Sequence, residues 1–341
     1  MSLIVNDLSK KYGEKTVLDH LSFQMPGPGV YALLGTNGAG KTTAIRMILG
    51  MLAKNTGEVF WNDKPLSCET CNIGYLAEER GLYPKYSLMD QLLYFASLRG
   101  VTGEEARVRI RKLAKRLQVE EYLYPNENAA PAPSIVSTSK SPLRLGGAAV
   151  RKKPEKPKVA DQLSKGNQQK IQLMAALISD PELIVLDEPM SGLDPVNTDL
   201  FRDIIRDEIA KGKYLIMSSH QMATVEEFCT DLTILDHSKV ILQGNLNDIK
   251  KSYGRVNLHL KVDPDALPAA GKVVADLSQQ MNIPILSEKE GEYQMKVTGQ
   301  EQAGELLSKL VPQAPIITFD LREPSLHEIF VEKVGGAQED A

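Results

Sequence analysis

The chain has 341 residues, of which 42% are hydrophobic and 25% are charged, and its formal net charge is −4 at pH 7. This is the composition of an ordinary globular protein with room for two domains, and the charge argues against a general nucleic-acid binder. Three cysteines are too few for a disulfide framework. The sequence contains no run of eighteen apolar residues, so it predicts no membrane-spanning segment. The amino terminus lacks a signal-peptide pattern, which predicts a cytoplasmic location.

The first informative element is a glycine-rich loop between a strand and a helix. Val30–Leu34 is a short apolar run with strand character, and apolar residues recur at helical spacing over Thr43–Leu52. Between them the sequence fits the phosphate-binding pattern GxxxxGK(S/T), which here comprises Gly35, Thr36, Asn37, Gly38, Ala39, Gly40, Lys41 and Thr42. We expect the loop's N–H groups and the helix start at Thr43 to bind a phosphate chain. Lys41 would reach the β- and γ-phosphates, and the Thr42 hydroxyl would bind Mg²⁺.

A proline-rich basic segment then interrupts the alternation of strands and helices over residues 1–250. Residues 124–158 contain six prolines, and seven basic residues against two acidic ones give a local charge of +5. The basic residues are Lys140, Arg144, Arg151, Lys152, Lys153, Lys156 and Lys158. We predict a disordered insertion, because such a segment cannot bury enough apolar surface to order itself. A solvated tether, contact with anionic lipid headgroups or RNA, and a non-native insertion are alternative interpretations.

Further along, a buried strand ends in two carboxylates. Leu183–Leu186 is a continuous apolar run, typical of a strand buried on both faces, and Asp187 and Glu188 follow it. Open α/β sheets bind ligands at the carboxyl ends of their strands. We therefore expect Asp187 to hold the Mg²⁺ shell. Glu188 is placed to accept a proton from an attacking water, or to orient that water.

After Tyr253 the pattern changes to that of a small α+β domain. Val256, Leu258, Leu260 and Val262 alternate strictly, as in a half-buried strand. Further strands are predicted near residues 283–286, 293–297 and 316–321, and helices over 270–281, 301–310 and 325–334. The order β-α-β-β-α-β predicts a ferredoxin-like domain with one extra helix.

Five motifs together resemble the ATP-binding cassette (ABC) family and occur in that family's order. They are the loop Gly35–Thr42, the signature-like LSKGNQQK of Leu163–Lys170, the strand LIVLDEP of Leu183–Pro189, the SGLD of Ser191–Asp194 and the SSH of Ser218–His220. The resemblance covers roughly residues 1–250. Gly74–Tyr83 and Glu323–Phe330 are similar to the branch that exports sodium and drugs.

The resemblance implies a fold and a domain organisation. We expect an α/β P-loop NTPase of the ABC type over residues 1–250, with a helical subdomain at about 85–180 that contains the insertion at 124–158. Residues 253–341 would form the C-terminal accessory domain, with a role in packing and partner contact.

The resemblance also implies site roles. Tyr12 would stack on adenine, and His220 would hydrogen-bond the γ-phosphate. The signature residues would reach the ATP held by a dimer partner; they are Ser164, Lys165, Gly166, Asn167 and Gln168. Asp194 would connect the two sites of the dimer.

Three positions depart from the family pattern. Lys165 and Asn167 replace a glycine and a glutamine of the usual signature LSGGQ, which adds positive charge at this helix start. Glu78 stands where the family usually has a glutamine. A carboxylate there strengthens the attraction for the metal and adds a second proton acceptor besides Glu188.

The implied function is the ATP-binding and ATP-hydrolysing subunit of an ABC exporter. Its cofactors would be ATP and Mg²⁺, and its partners an integral membrane permease and a second ATP-binding subunit in a homodimer. It would lie in the cytoplasm, peripheral on the inner face of the cell membrane. The alternative is a soluble ABC ATPase that acts on ribosomes or nucleic acid. Ribosomal types usually carry two cassettes and DNA-repair types long coiled coils, so we expect no nucleic-acid partner. The cargo is not readable from the sequence.

Overall fold

The computed structural model describes residues 1–79, 81–125 and 157–339, so most of the predicted insertion lies outside the described residues. Up to Ser219 the elements are β1 (Leu3–Tyr12), β2 (Lys15–Met25), β3 (Gly29–Gly35), α1 (Lys41–Ile48), β4 (Thr56–Trp61), β5 (Lys64–Pro65), β6 (Ile73–Leu76), α2 (Leu88–Leu98), α3 (Gly103–Leu117), α4 (Glu120–Leu123), α5 (Lys165–Leu177), β7 (Leu183–Asp187), α6 (Pro195–Ala210) and β8 (Tyr214–Ser219). The later elements are α7 (Met222–Phe228), β9 (Asp231–Asp236), β10 (Lys239–Asn245), α8 (Leu246–Tyr253), β11 (Asn257–Val262), α9 (Leu267–Gln280), β12 (Ile285–Lys289), β13 (Glu292–Lys296), α10 (Gln300–Leu310), β14 (Ile316–Arg322) and α11 (Leu326–Glu339). Among the described residues, no helix combines the length and hydropathy that a membrane crossing requires.

The chain falls into two compact units that are interleaved in sequence. The first unit consists of Met1–Leu8, Ser22–Val30 and Thr42–Ser218. The second consists of Ser9–Leu21, Tyr31–Lys41 and the described part of Ser219–Ala341. These units do not follow the predicted boundary between residues 1–250 and 253–341, which stays a prediction.

In the first unit, β6, β7 and β8 form a parallel sheet. Leu76 of β6 pairs with Leu186 of β7, and Asp187 of β7 pairs with Ser218 of β8. All five residues of β7 are buried, as its continuous apolar sequence predicts. The parallel register therefore places the carboxylate at the end of β7 beside the hydroxyl at the end of β8.

Helices α2, α3 and α5 pack against one another, and α5 also packs on β6. A glycine permits this close approach, since a Cβ atom at Gly74 would lie 2.3 Å from the Ala176 carbonyl oxygen. Leu92, Ile110 and Met174 are fully buried on the three helices. These helices all belong to the first unit, and the helical subdomain at about 85–180 stays a prediction.

In the second unit, β3 pairs in parallel with β9, with Tyr31 opposite Asp231 and Gly35 opposite Leu235. Strand β10 pairs antiparallel with β9. Leu33 and Leu34 are fully buried, as are Leu232 and Ile234. The glycine-rich loop therefore starts from the end of a rigid, buried strand.

The second unit also contains the predicted ferredoxin-like sheet. Its strand order is β12-β13-β11-β14, and its pairings are antiparallel. The inward side chains of the strands form one core with α9 and α10, which includes Leu258, Leu260, Val274, Tyr293 and Leu306. The β-α-β-β-α-β prediction is confirmed, and α11 is the extra helix.

Candidate functional site

The glycine-rich loop follows β3 and ends where α1 begins. Gly35 has φ 150°, and a Cβ atom there would lie 2.2 Å from the Leu235 carbonyl oxygen. Gly40 has φ 108°, and its Cβ would lie 2.6 Å from the Val17 carbonyl oxygen. Only glycine fits both positions, because of the positive φ and the close neighbouring backbone. The loop is thus fixed in shape by contacts within the second unit.

The Lys41 ammonium is turned back onto this loop. Its Nζ donates to the Gly35 carbonyl at 2.8 Å and to the Thr36 carbonyl at 3.2 Å, and the residue is only 6% exposed. A lysine held at the start of a helix, beside a loop of backbone N–H groups, provides the positive charge that a phosphate chain requires.

In the first unit, the Asp187 carboxylate is buried between two hydroxyl groups. Its Oδ1 accepts from Ser218 Oγ at 2.5 Å and from Thr42 Oγ1 at 3.3 Å. Its Oδ2 is buried without a hydrogen-bond partner among the described residues. Burial raises the pKa of Asp187, and the adjacent Glu188 carboxylate adds to this, whereas the two hydroxyl groups and the Arg46 guanidinium lower it.

This arrangement fits a hard divalent cation. An acidic oxygen without a partner, next to the hydroxyl of Thr42, offers the oxygen ligands that Mg²⁺ prefers. A cation there would also offset the cost of burying the Asp187 charge. Of the residues predicted to bind the metal, Thr42 and Asp187 are in direct contact.

Glu188 is held in an unusual backbone conformation directly after β7. Its φ is 49°, and its N–H donates to Ser218 Oγ at 3.0 Å. The residue is 6% exposed. Left-handed conformations of residues other than glycine store strain and cluster at functional sites. Ser218 therefore positions both carboxylates, Asp187 through its side chain and Glu188 through its backbone.

Glu78 and Glu188 line one cavity of about 280 Å³ in the first unit. The other lining residues are Glu79, Lys165, Gln168, Gln169, Gln172 and Ser191. The structure thus brings together both predicted proton acceptors and two signature residues of the same chain. Arg46 Nη2 lies 3.6 Å from Glu79 Oε1 at the exposed side of this region.

The signature residues form a capped helix start. Ser164 Oγ accepts from the Asn167 N–H at 3.3 Å, and both Ser164 and Lys165 are exposed. Asn167 Nδ2 donates to the Tyr122 hydroxyl at 2.9 Å. Gln168 is buried and donates to its own chain, to the carbonyls of Ala160 at 2.9 Å and Leu163 at 3.2 Å. Its amide thus stabilises the loop, and its predicted contact with a partner's ATP stays a prediction.

The SGLD loop packs against the signature. A Cβ atom at Gly166 would lie 3.4 Å from Leu193 Cδ2 of this loop. Asp194 caps α6, accepting from the Asn197 N–H at 2.9 Å and from Asn197 Nδ2 at 2.5 Å. These hydrogen bonds hold the pKa of Asp194 below its usual value. Asp194 is therefore ionised and exposed beside the signature.

The two remaining predicted residues, Tyr12 and His220, lie in the second unit. The Tyr12 ring is 54% exposed, and Lys10 Nζ lies 4.9 Å from its centroid. His220 follows β8 and is exposed, two residues before α7 begins. Sequence reasoning missed the positioning role of Ser218, although Ser218 belongs to the same SSH motif. It also missed Arg46, which gives no signal beyond being a basic residue on α1.

Comparisons with known proteins agree with the motifs. The ABC transporter profile matches residues 18–191, and the C-terminal domain profile of DrrA1-3-like ATP-binding proteins matches residues 244–334. The chain is 36% identical over 338 residues to the uncharacterized ABC transporter ATP-binding protein YhaQ of Bacillus subtilis (strain 168), covering 99% of this chain and 100% of that protein. It is 28% identical over 241 residues to Nod factor export ATP-binding protein I of Paraburkholderia xenovorans (strain LB400), covering 70% of this chain and 68% of that protein.

A solved structure of an ATP-binding subunit of an ABC transporter superposes with a TM-score of 0.60 at 26% identity, covering 74% of this chain and 93% of that chain. The predicted family and fold class are therefore confirmed, whereas the roles of individual residues stay predictions. The chain belongs to the ATP-binding proteins of ABC transporters, and it is an ATPase that binds ATP.

Proposed function

We propose that the chain is the ATP-hydrolysing subunit of a membrane exporter and acts on a separate permease. The observation that carries the proposal is the buried Asp187 carboxylate, held by Thr42 and Ser218 with one oxygen unsatisfied among the described residues. Such a group suits a metal that accompanies a nucleotide. Export is supported by relatives named Nod factor export ATP-binding protein I.

The chain's residues divide the work of hydrolysis. The loop from Gly35 to Thr43 and the Lys41 ammonium bind the phosphates, and Tyr12 stacks on the adenine. Thr42, Asp187 and Glu78 would hold Mg²⁺, which would supply positive charge to offset that of the phosphate chain.

Glu188 accepts the proton of the attacking water, and Glu78 in the same cavity is a second acceptor. His220 donates a hydrogen bond to the γ-phosphate. A second copy of the chain brings its Ser164, Lys165 and Gly166 to the γ-phosphate, and Asp194 lies between the two sites.

An exposed aromatic surface suits the permease. Tyr83, Tyr86 and Tyr94 are 51%, 65% and 51% exposed, and Tyr83 and Tyr86 pack edge to face at 5.8 Å. Gln91 is 3% exposed and holds their loop: its Oε1 accepts from Tyr83 N–H at 2.8 Å, and its Nε2 donates to the Tyr86 carbonyl at 2.9 Å. Exposed tyrosines on a fixed loop are typical of a protein contact. We place the chain in the cytoplasm, at the inner face of the membrane.

The test is co-purification from membranes of the producing cell. The Glu188→Gln variant is tagged and isolated in mild detergent in the presence of ATP and Mg²⁺. The control is Lys41→Ala, which we expect not to bind nucleotide. We expect a membrane protein with several transmembrane spans to co-purify stoichiometrically with Glu188→Gln. Recovery from the soluble fraction with ribosomes or nucleic acid would replace the proposal by the alternative function.

The assignment of the base has its own test. Glu188→Gln is expected to bind ATP normally and to lose steady-state hydrolysis by at least about 100-fold, the scale of general-base catalysis. Unchanged turnover would contradict the assignment.

A further inference from the structure

Glu226 of α7 joins three helices of the second unit. Its Oε1 accepts from the Leu326 N–H at 2.6 Å, at the start of α11. The same oxygen lies 2.8 Å from Lys250 Nζ of α8. The side chains of Glu226 and Lys250 are each 23% exposed, so this junction is largely shielded from water. A charged acceptor makes stronger hydrogen bonds than a neutral one, so the contact is a firm link.

Helix α11, which Glu226 contacts, also binds the ferredoxin-like sheet through its side chains. Glu328 Oε1 accepts from Asn257 Nδ2 at 2.7 Å, and Glu332 lies 3.4 Å from Lys296 Nζ. Leu326 and Ile329 are 0% and 1% exposed. Helix α11 packs on α7 and β10 as well as contacting β11 and β13 through these side chains. A displacement of the sheet would therefore displace α11 and, through it, α7.

Helix α7 begins two residues after His220 and has only seven residues. Its first residue follows Gln221, whose side chain makes no capping hydrogen bond. Gln221 N–H donates to Ser219 Oγ at 2.9 Å, which ties the turn around His220 to the helix start. Such a short helix moves as one body, so a shift at Glu226 also moves His220. Displacements of about 1 Å at a catalytic group cost up to about 100-fold in rate.

We propose that Glu226 is a positioning residue for ATP hydrolysis, through which the C-terminal domain sets the place of His220. The inference rests on the role proposed above for His220. It makes the C-terminal domain part of the hydrolytic machinery, in addition to any partner contact.

The experiment measures kcat and KM for ATP in the full chain with three changes at this junction. Glu226→Ala removes both contacts. Glu226→Gln keeps the acceptor for the Leu326 N–H and loses the charge. The swap E226K with K250E restores opposite charges but leaves the Leu326 N–H without its acceptor. Glu305→Ala is the control, because it breaks an exposed pair with Lys309 in the same domain.

We expect Glu226→Ala and the swap to lower kcat about 10-fold with KM within two-fold of the wild type, while Glu226→Gln and Glu305→Ala keep at least half of kcat. Adding Glu226→Ala to His220→Ala is expected to leave the residual kcat unchanged, because the two residues act in series. A swap that restores kcat, a Glu226→Ala form with wild-type kcat, or a further loss in the double variant would each overturn the proposal.

The His220→Ala variant separates this failure from that of the proposed function. If His220→Ala keeps wild-type kcat, the role proposed for His220 is wrong. If His220→Ala loses kcat and Glu226→Ala does not, the function stands and the positioning role of Glu226 is wrong.

Discussion

Replacing Asp187 with Asn is expected to stabilise the metal-free protein while abolishing hydrolysis. The residue is 1% exposed, and burial outweighs the two hydroxyl donors in raising the pKa of Asp187. Asparagine keeps an oxygen to accept from Ser218 and Thr42, and replaces the unsatisfied Oδ2 with a neutral amide. A buried neutral amide costs less than a buried charge. We expect a gain of about 1 kcal/mol in the free energy of unfolding, typical of substitutions that relieve a functional site.

The gain depends on pH with a definite sign. A carboxyl whose pKa is raised by folding stabilises the protein fully below its unfolded value, and this stability is lost as pH rises through the folded value. The Asn variant carries no such group, so its advantage is greatest at neutral pH and shrinks as pH falls toward the unfolded value of 3.8.

The assay is urea unfolding in EDTA at several pH values, with Asp203→Asn as the control, because the exposed Asp203 carboxylate forms a surface ion pair with Arg206 on the same helix. A variant less stable than the wild type at neutral pH, or an advantage that does not change with pH, would refute the reasoning.

Three further predictions concern the loop, the sheet and the cavity. Lys41→Ala is expected to weaken ATP binding by about 2–5 kcal/mol in calorimetry, the cost of truncating a buried charged partner, while Lys54→Ala, an exposed control, leaves it unchanged. Gly74→Ala is expected to lower the free energy of unfolding by about 1–3 kcal/mol in urea because its Cβ would meet the Ala176 carbonyl, whereas Gly304→Ala on α10, with open space around it, raises it by about 0.5–1 kcal/mol. Glu78→Gln restores the residue usual in the family. We expect its kcat to stay within about three-fold of the wild-type value, while the Mg²⁺ concentration that gives the half-maximal rate rises. A loss of kcat as large as that of Glu188→Gln would make Glu78 the principal base.

The sequence predicted those parts of the molecule that depend on local chemistry. The strand–loop–helix at Gly35–Thr42 was predictable because only glycine tolerates the backbone at Gly35 and Gly40. The strand at Leu183–Leu186 was predictable because burial on both faces requires a continuous apolar run. Strict alternation after Tyr253 likewise predicted the antiparallel sheet of the C-terminal domain.

Other features depend on partners far apart in sequence and gave no local signal. The contact of Asp187 with Ser218 requires the register of two parallel strands, which only the packed sheet sets. Glu226 and the Leu326 N–H are 100 residues apart and meet because α7 and α11 pack together. The motif likewise does not indicate that the Gln168 amide nitrogen donates to the backbone carbonyls of Ala160 and Leu163. A motif specifies residue types, whereas the packed structure decides which side-chain atoms are already engaged.

The site of the first unit concentrates negative charge before any ligand arrives. Asp187 is buried beside Glu188, and Glu188 shares a cavity with Glu78, where the family usually has an uncharged glutamine. The raised pKa of Asp187 indicates that its buried charge lowers the stability of the metal-free protein. Under the proposed function, Mg²⁺ bound with ATP removes that cost, whereas ATP alone adds further negative charge. On this proposal, the buried Asp187 carboxylate destabilises the metal-free subunit and thereby favours binding of the metal complex of the nucleotide.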